Sequence, residues 1–361
     1  MRLLFVNEKL DYASTSSYSL DLAVALRSGG DEVRLCVGTG RRRETFQELG
    51  IETYVAKNNF FSFRKLLDYL REFAPDLIHV QNQRSAPLGR KLSSRLRIPH
   101  VVTVHRPRRD DTQGLEHPLL SGVIALSEVI REFLVNEQGL SKSLIRVIRR
   151  GVNLDELRPE RAPGALRTEG EYLPVIGSVG RLERIKGHDV LINAARRVLD
   201  AGYEAMFIIV GDGDEEPALR KLVEELRLEH HVTFAPPLPK RVDLFRLFDI
   251  VAVPTRRGGV GATALEAMAM GKPVIATAMG ELLEIVGDHT TGLLVPEGDA
   301  DALAAAIVEL IRDRELASEL GRRARQRVRD EFALAPMVEA TRTFYAESKD
   351  RMLERSLTVS G

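Results

Sequence analysis

The sequence predicts an α/β protein built from two Rossmann-like halves that face each other across a cleft. Three observations predict it. Short apolar runs alternate with helix-patterned stretches along nearly the whole chain, as a parallel sheet covered by helices on both faces requires. The alternation breaks once, at residues 157–174 (LRPERAPGALRTEGEYLP), where three prolines, two glycines and many charges carry no apolar period. After the break, residues 249–278 (DIVAVPTRRGGVGATALEAMAMGKPVIATA) read as strand, glycine loop, helix and strand, which makes one right-handed βαβ unit.

The elements follow in order. In the first half, strands are expected at 2–7, 32–38, 52–56, 77–81, 100–105, 122–126 and 145–152. Helices are expected at 17–27, 63–73, 87–96 and 127–137, the last with Ser127 as its N-cap. In the second half, strands are expected at 175–179, 205–210, 232–235, 249–254, 273–278 and 292–295, and helices at 187–199, 216–226, 240–248, 262–270 and 300–312. Beyond residue 315 the chain reads as helical, with its last six residues, SLTVSG, fraying. The apolar residues Phe332, Met337, Val338, Phe344, Tyr345 and Met352 recur at near-helical spacing. The division that results is a first domain over 1–160, a second over 171–334, and a helix over 335–355 that returns to the first.

Composition narrows the class. The 361 residues hold 52 basic and 52 acidic side chains, so no bias towards nucleic acid or another polyanion is visible. The single Cys36 excludes an internal disulfide and reads as a core thiol. No apolar run approaches the roughly 18 residues of a membrane span, and the opening MRLLFVNEK starts a strand rather than a signal peptide. A cytoplasmic protein is expected, with peripheral contact at the inner face of a membrane as an added reading. The eight histidines are scattered, and His230–His231 lack carboxylates at ligand spacing, so no metal site is expected.

Two stretches carry the chemistry. In GRLERIKG (180–187), Arg181 and Lys186 sit just past a buried strand, at the mouth where open α/β sheets bind ligands. One guanidinium and one ammonium can neutralise a departing diphosphate without a metal. In the 249–278 unit, glycines admit a ligand close to the backbone, the new helix offers N–H groups to an anion, and Glu266 lies one turn in. A solvated basic loop and a tight turn with Glu266 facing water would give the same letters.

The combination resembles a known family. GRLxxxKG from Gly180, IVGDG from Ile209, a strand opened by Asp249 and LEAMAxGxPVIAT from Leu265 occur in the order and spacing of the retaining glycosyltransferases of family 4, which have the GT-B fold. PDLIHVQN from Pro75, PHVVTVH from Pro99, VIALSEVIREFL from Val123 and RRGVNLDELRP from Arg149 fit its amino-terminal domain. The resemblance implies roles. Arg181 and Lys186 match the pair that grips the donor diphosphate, Glu266 the carboxylate on the nucleotide ribose, and His105 the histidine that faces the donor sugar. Ala262 and Thr263 would offer backbone N–H groups to the distal phosphate, flanked by Gly258, Gly259 and Gly261, and the base would fall near Leu238 in FAPPL. The implied substrate is a UDP- or GDP-sugar, with no bound cofactor and no metal.

Two departures stand on the sugar and acceptor side. Gly258 occupies a position where the family has a glutamate, eight residues before Glu266, and Ala13 and Ser14 replace a glycine pair. Arg256 and Arg257 adjoin the first departure, and Arg149 and Arg150 open a turn expected across the cleft. Arginine suits carboxylate or phosphate better than a neutral hydroxyl, so an anionic donor or acceptor group is one reading of this side. The segment 58–71 (NNFFSFRKLLDYLR) and HRPRR at 105–109 add an aromatic and basic character. It suits an anionic membrane face and a lipid-linked, lipopolysaccharide or other envelope-glycan acceptor. A nucleotide-sugar-binding protein without transferase activity and a nucleotide-sugar epimerase are the alternatives.

Overall fold

The computed structural model describes residues 1–10, 14–40, 43–56, 60–106, 115, 117–159, 173–238, 241–256 and 261–359, without the side chains of 14, 60, 241 and 353–359. The chain runs β1 (Arg2–Leu10), α1 (Ser14–Ser28), β2 (Glu32–Gly40), α2 (Arg43–Glu48), β3 (Glu52–Val55), α3 (Phe60–Phe73), β4 (Leu77–Val80), α4 (Ala86–Leu96), β5 (His100–Val104), β6 (Leu120–Ala125), α5 (Glu128–Asn136) and β7 (Ile145–Val147). It continues with β8 (Val175–Val179), α6 (His188–Asp200), β9 (Met206–Val210), α7 (Glu216–Glu225), β10 (Val232–Ala235), α8 (Arg241–Leu247), β11 (Ile250–Val253) and α9 (Ala262–Ala269). The remaining elements are β12 (Val274–Thr277), α10 (Leu282–Ile285), β13 (Leu293–Val295), α11 (Ala300–Arg312), α12 (Arg314–Glu331) and α13 (Leu334–Val359).

These elements fall into two units, residues 1–151 with 334–361, and residues 152–333. The first unit's seven strands are all parallel in the order β3-β2-β1-β4-β5-β6-β7. The second has six parallel strands in the order β10-β9-β8-β11-β12-β13. Both orders reverse direction beside the first strand of the sheet, β1 or β8, which opens a crevice at the carboxyl ends of the neighbouring strands. Ser127 caps α5, its Oγ accepting from the Ile130 N–H at 3.1 Å.

Several boundaries differ from the sequence reading. The first domain ends at Gly151 rather than 160, because Val152 donates to the Phe332 carbonyl and packs with Leu157 among residues of the second unit. The strand expected over 145–152 stops at Val147 for the same reason: the chain turns out of the first sheet. The helical tail is two helices, parted where Phe332 is buried, and α13 remains helical to Val359 where fraying was expected. The short α2, with Phe46 buried beneath it, was missed.

In the second unit, one face of the sheet is covered by residues of α6, α7 and α11, including Leu191, Val198, Leu219 and Ile307. The other face carries Phe245 and Phe248 with Leu265, Met268 and Val328. In the first unit, α13 is part of the core. Phe344 and Tyr345 are buried, and Gly122 of β6 makes room for the Phe344 ring, since a Cβ there would lie 2.4 Å from its Cζ. Arg342 to Asp31 at 2.8 Å and Lys349 to Asp76 at 3.0 Å fasten the helix at its sides.

Candidate functional site

The second unit holds the loop 180–187 at the carboxyl end of β8. Its conformation is set by Gly187, whose φ of +68° is left-handed and whose Cβ, were there one, would lie 1.9 Å from the Pro254 carbonyl oxygen. The end of β8 is thus pressed against the end of β11. Arg256, just past β11, completes the join. Its backbone N–H donates to the Ile185 carbonyl at 2.8 Å, and its guanidinium takes both oxygens of Asp189 in the first turn of α6, Nη2 to Oδ2 at 2.6 Å.

Within the loop, the Arg181 Nε donates to Glu183 at 2.7 Å, and Nη1 stands 3.8 Å from Asp212. The Arg181 side chain is 43% exposed, so it can exchange these acids for a ligand anion at small cost. The Lys186 stem packs over Gly180. His188, directly after the loop, was missed by the sequence reading. It is buried, its Nε2–H donates to the Arg181 carbonyl at 3.2 Å, and Nδ1 faces the Ser178 hydroxyl at 3.4 Å. Burial pushes its pKa down to about 4, so it stays neutral and braces the backbone that carries Arg181. Its signal was only its place after KG, and a lone histidine on a helix reads as core.

Glu266 is 7% exposed, which removes the reading of a solvated helix face. Thr263 ties the start of α9 to β8, its hydroxyl donating to the Val179 carbonyl at 3.0 Å. Gly261 enters α9 with φ +57°, and among the described residues no N-cap side chain covers that terminus, where the positive end of the helix dipole lies. Ala262 is buried behind it. The second unit therefore brings Arg181, Lys186, Thr263 and Glu266 onto the ends of β8 and α9. Leu238 is exposed past β10, and the Phe234 ring before it is covered by the Arg220 guanidinium at 4.7 Å. Gly258, Gly259 and Arg257 lie outside the described residues. The proposed anion site beside Gly258 loses Arg256, whose charge is committed to Asp189.

In the first unit, His105 follows β5 and is buried. Its Nε2 is 2.8 Å from the Gln81 carbonyl. A carbonyl only accepts, so Nε2 carries the proton and Nδ1, with no hydrogen-bond partner among the described residues, presents a lone pair. Burial pushes the pKa down to about 3, the Gln81 carbonyl opposing and Arg150 assisting. The Tyr18 ring stands edge-on to the imidazole, centroids 5.0 Å apart at 90°. Beside them Ser19 joins two buried amides: Asn7 Nδ2 donates to its Oγ at 3.1 Å, and Gln81 Oε1 lies 3.0 Å away. Arg150 is also buried, near Asp21 at 3.9 Å, whereas Arg149 is exposed. Tyr18, Gln81 and the burial of Arg150 were not anticipated. Ser14 opens α1, and Ala13 and residues 107–109 lie outside the described residues.

Two all-parallel Rossmann-like units, the second with a Gly-Arg-Leu loop and an acid-bearing α9 at its mouth, define the GT-B class of α/β proteins. A family model for glycosyl transferases group 1 matches residues 167–327, and one for glycosyltransferase family 4 matches residues 15–156. The chain is 30% identical over 296 residues to a 2-deoxystreptamine glucosyltransferase of Streptomyces kanamyceticus, covering 73% of this chain and 75% of that protein. It is 34% identical over 281 residues to a D-inositol 3-phosphate glycosyltransferase of Nocardia farcinica, covering 69% of this chain and 61% of the relative's length. The chain belongs to glycosyltransferase family 4. In fold it resembles the Anabaena protein HepE, crystallised in complex with UDP-glucose, with a TM-score of 0.85 at 22% identity over 97% of this chain and 100% of that one.

Proposed function

We propose that the protein transfers a sugar from a UDP-sugar to an acceptor hydroxyl with retention at the anomeric carbon and without a metal ion. The observation that carries this reading is the buried Glu266 one turn into α9, tied by Thr263 to the strand that delivers Arg181 and Lys186. A carboxylate there accepts from ribose hydroxyls, and the two cations meet the diphosphate. In the reaction the bond from the anomeric carbon to the β-phosphate oxygen breaks, and its electron pair leaves with the diphosphate. A new bond forms to the acceptor oxygen on the same face, and the acceptor proton passes to the departing phosphate. Arg181 and Lys186 neutralise the charge that develops on that phosphate. His105, neutral with its buried Nδ1 lone pair untaken by the described residues, accepts from a sugar hydroxyl. The UDP preference draws on the HepE complex.

For the acceptor, the relatives' names point to small cyclitols, one phosphorylated and one aminated, and a cyclitol-like acceptor is the first reading. The envelope-glycan reading, with lipopolysaccharide or polysaccharide as product and work at the inner face of a membrane, is the second. It is favoured by Phe61, 78% exposed on α3 beside the exposed Arg64 and Lys65. Among the described residues no helix is long and apolar enough to cross a membrane.

The test is incubation with a panel of UDP- and GDP-sugars, first without acceptor and then with inositol 3-phosphate, 2-deoxystreptamine or lipopolysaccharide core. Slow release of UDP, accelerated by one acceptor and unaffected by EDTA, is expected, with the anomeric configuration of the product read by NMR. Isomerised donor would make the protein an epimerase. Binding with no turnover on any donor would make it a non-catalytic binding protein.

A further inference from the structure

Four polar side chains that end in untaken atoms lie together in the first unit. Strand register pairs Val6 with Val80, so the next residues, Asn7 of β1 and Gln81 after β4, stand side by side. Ser19 of α1 holds one end of each amide. Its Oγ accepts from Asn7 Nδ2 at 3.1 Å, and its one proton is shared between Gln81 Oε1 and the Thr15 carbonyl, both at 3.0 Å. The other ends, Asn7 Oδ1 and Gln81 Nε2, have no hydrogen-bond partner among the described residues, and neither have the Tyr18 hydroxyl and His105 Nδ1. The Tyr18 ring meets the imidazole edge-on, and His105 Nε2 is held by the carbonyl of Gln81 itself. Asn7 and Gln81 are 0% exposed, Tyr18 1% and His105 7%.

A buried polar atom without a partner costs stability, and four in one place mark a surface made for something else to fill. The kinds of atom say what that is. Asn7 Oδ1 and His105 Nδ1 only accept, the Gln81 amide nitrogen only donates, and the Tyr18 hydroxyl does either. A phosphate or carboxylate, which only accepts, would be set against two acceptors. An ammonium, which only donates, would be set against the Gln81 N–H groups. A hydroxyl donates and accepts, and so meets all four. Arg150, whose charge reaches His105, has the Asp21 carboxylate at 3.9 Å to offset it.

We propose that Asn7, Tyr18 and Gln81 form, beside His105, a subsite for adjacent hydroxyls of an uncharged ring, and so select the substrate. The proposal deepens the transfer reading and rests on it. Such hydroxyls belong both to a cyclitol acceptor and to the sugar of the donor, and the test separates these sources by binding, without turnover. Calorimetric titration of the full chain compares UDP-glucose with UDP, and then adds myo-inositol to UDP-saturated protein. Tyr18→Phe deletes only the untaken hydroxyl. Its melting temperature should be unchanged or raised, since no hydrogen bond to a described residue is lost, while affinity for one of the rings falls about fivefold or more. A fall for myo-inositol assigns the subsite to the acceptor. A fall for UDP-glucose, with UDP unaltered, assigns it to the donor sugar. Gln81→Glu keeps an oxygen on Ser19 and the backbone carbonyl on His105, and should lower the same affinity because its donor has become an acceptor. Unchanged affinity for UDP-glucose together with unchanged or absent binding of myo-inositol in Tyr18→Phe would overturn the proposal. So would a loss of affinity that comes with a lowered melting temperature, since the hydroxyl would then be serving the fold. If a ring binds as expected and no sugar is transferred, the transfer reading fails while the subsite stands.

Discussion

Arg256 and Asp189 are bound through both guanidinium Nη nitrogens and both carboxylate oxygens, across the join between the end of β11 and the start of α6. The pair raises the arginine pKa further, chiefly through the hydrogen bonds to Asp189. Its position gives it a use beyond its own energy: Arg256 holds Ile185 by its backbone N–H and Asp189 by its side chain, and the backbone between those two residues carries Lys186 and the left-handed Gly187.

Asp189→Asn should therefore loosen the loop more than it unfolds the unit. Both side chains are partly open to water, so a stability loss of about 1 kcal/mol is expected. Amide exchange at residues 184–187 should quicken by roughly fivefold or more. Arg256→Lys should behave similarly, since one ammonium cannot take both oxygens. Unchanged exchange in this loop would show that Gly187 and Pro254 hold it alone.

How much of this was legible is clearest in the same segment. GRLxxxKG was readable as a loop past a buried strand, and Glu266 as a residue one turn into the helix of the next βαβ unit. Arg256 was read as a cation beside a ligand because its partner lies 67 residues earlier and no local pattern marks it. His188 and Tyr18 were lost for a related reason: a buried imidazole and a core tyrosine look the same in sequence whether they brace a site or only fill space. The α/β order was readable because parallel strands, buried on both faces, are nearly continuous apolar runs. The point where β7 leaves its sheet was not, since Ile148 and Val152 are apolar and buried on either side of that turn.

Arg181→Ala and Lys186→Ala should each weaken UDP binding by about 10- to 100-fold, from the loss of a charge-assisted contact of roughly 1.5–3 kcal/mol. Glu183→Gln should act in the opposite sense, tightening UDP by a few-fold, because Arg181 no longer has to leave a carboxylate. Calorimetric titration with UDP measures all three. Near-wild-type affinity in both alanine variants would remove the diphosphate from this loop.

His105→Asn should separate the two units' roles. UDP affinity should stay within about twofold of wild type, because the contacts assigned to UDP all lie in the second unit. kcat should fall about 100-fold or more. A matching loss of UDP affinity would mean that His105 meets the nucleotide rather than the sugar.

Acid should act on the first unit before the second. His79, His100 and His105 there are pushed down to about 3, and His188 in the second unit to about 4, burial being the main cause each time. A depressed folded-state pKa means that the unfolded chain binds protons the folded one refuses. The stability is whole above about pH 6.5 and is lost as pH falls towards those values. Each imidazole contributes a slope of at most about 1.4 kcal/mol per pH unit, so the first unit, with three, should lose stability faster than the second. Hydrogen exchange followed by mass spectrometry between pH 7 and 5 would show it. Equal slopes in the two units would count against neutral burial of the three.

The helix α13 completes a unit whose other elements all precede residue 152. On the ribosome this inverts the usual order of maturation. The first sheet emerges with Gly122 and His79 uncovered on the face that Phe344 and Tyr345 will occupy, and it waits while residues 152–333 are translated. At cellular synthesis rates the wait is on the order of 10 s or more. The second unit, contiguous in the chain, can finish folding within that interval. A newborn chain thus passes through a stage in which its later half is native and its earlier half is still a client for chaperones, and a transcript cut short before α13 would leave it there.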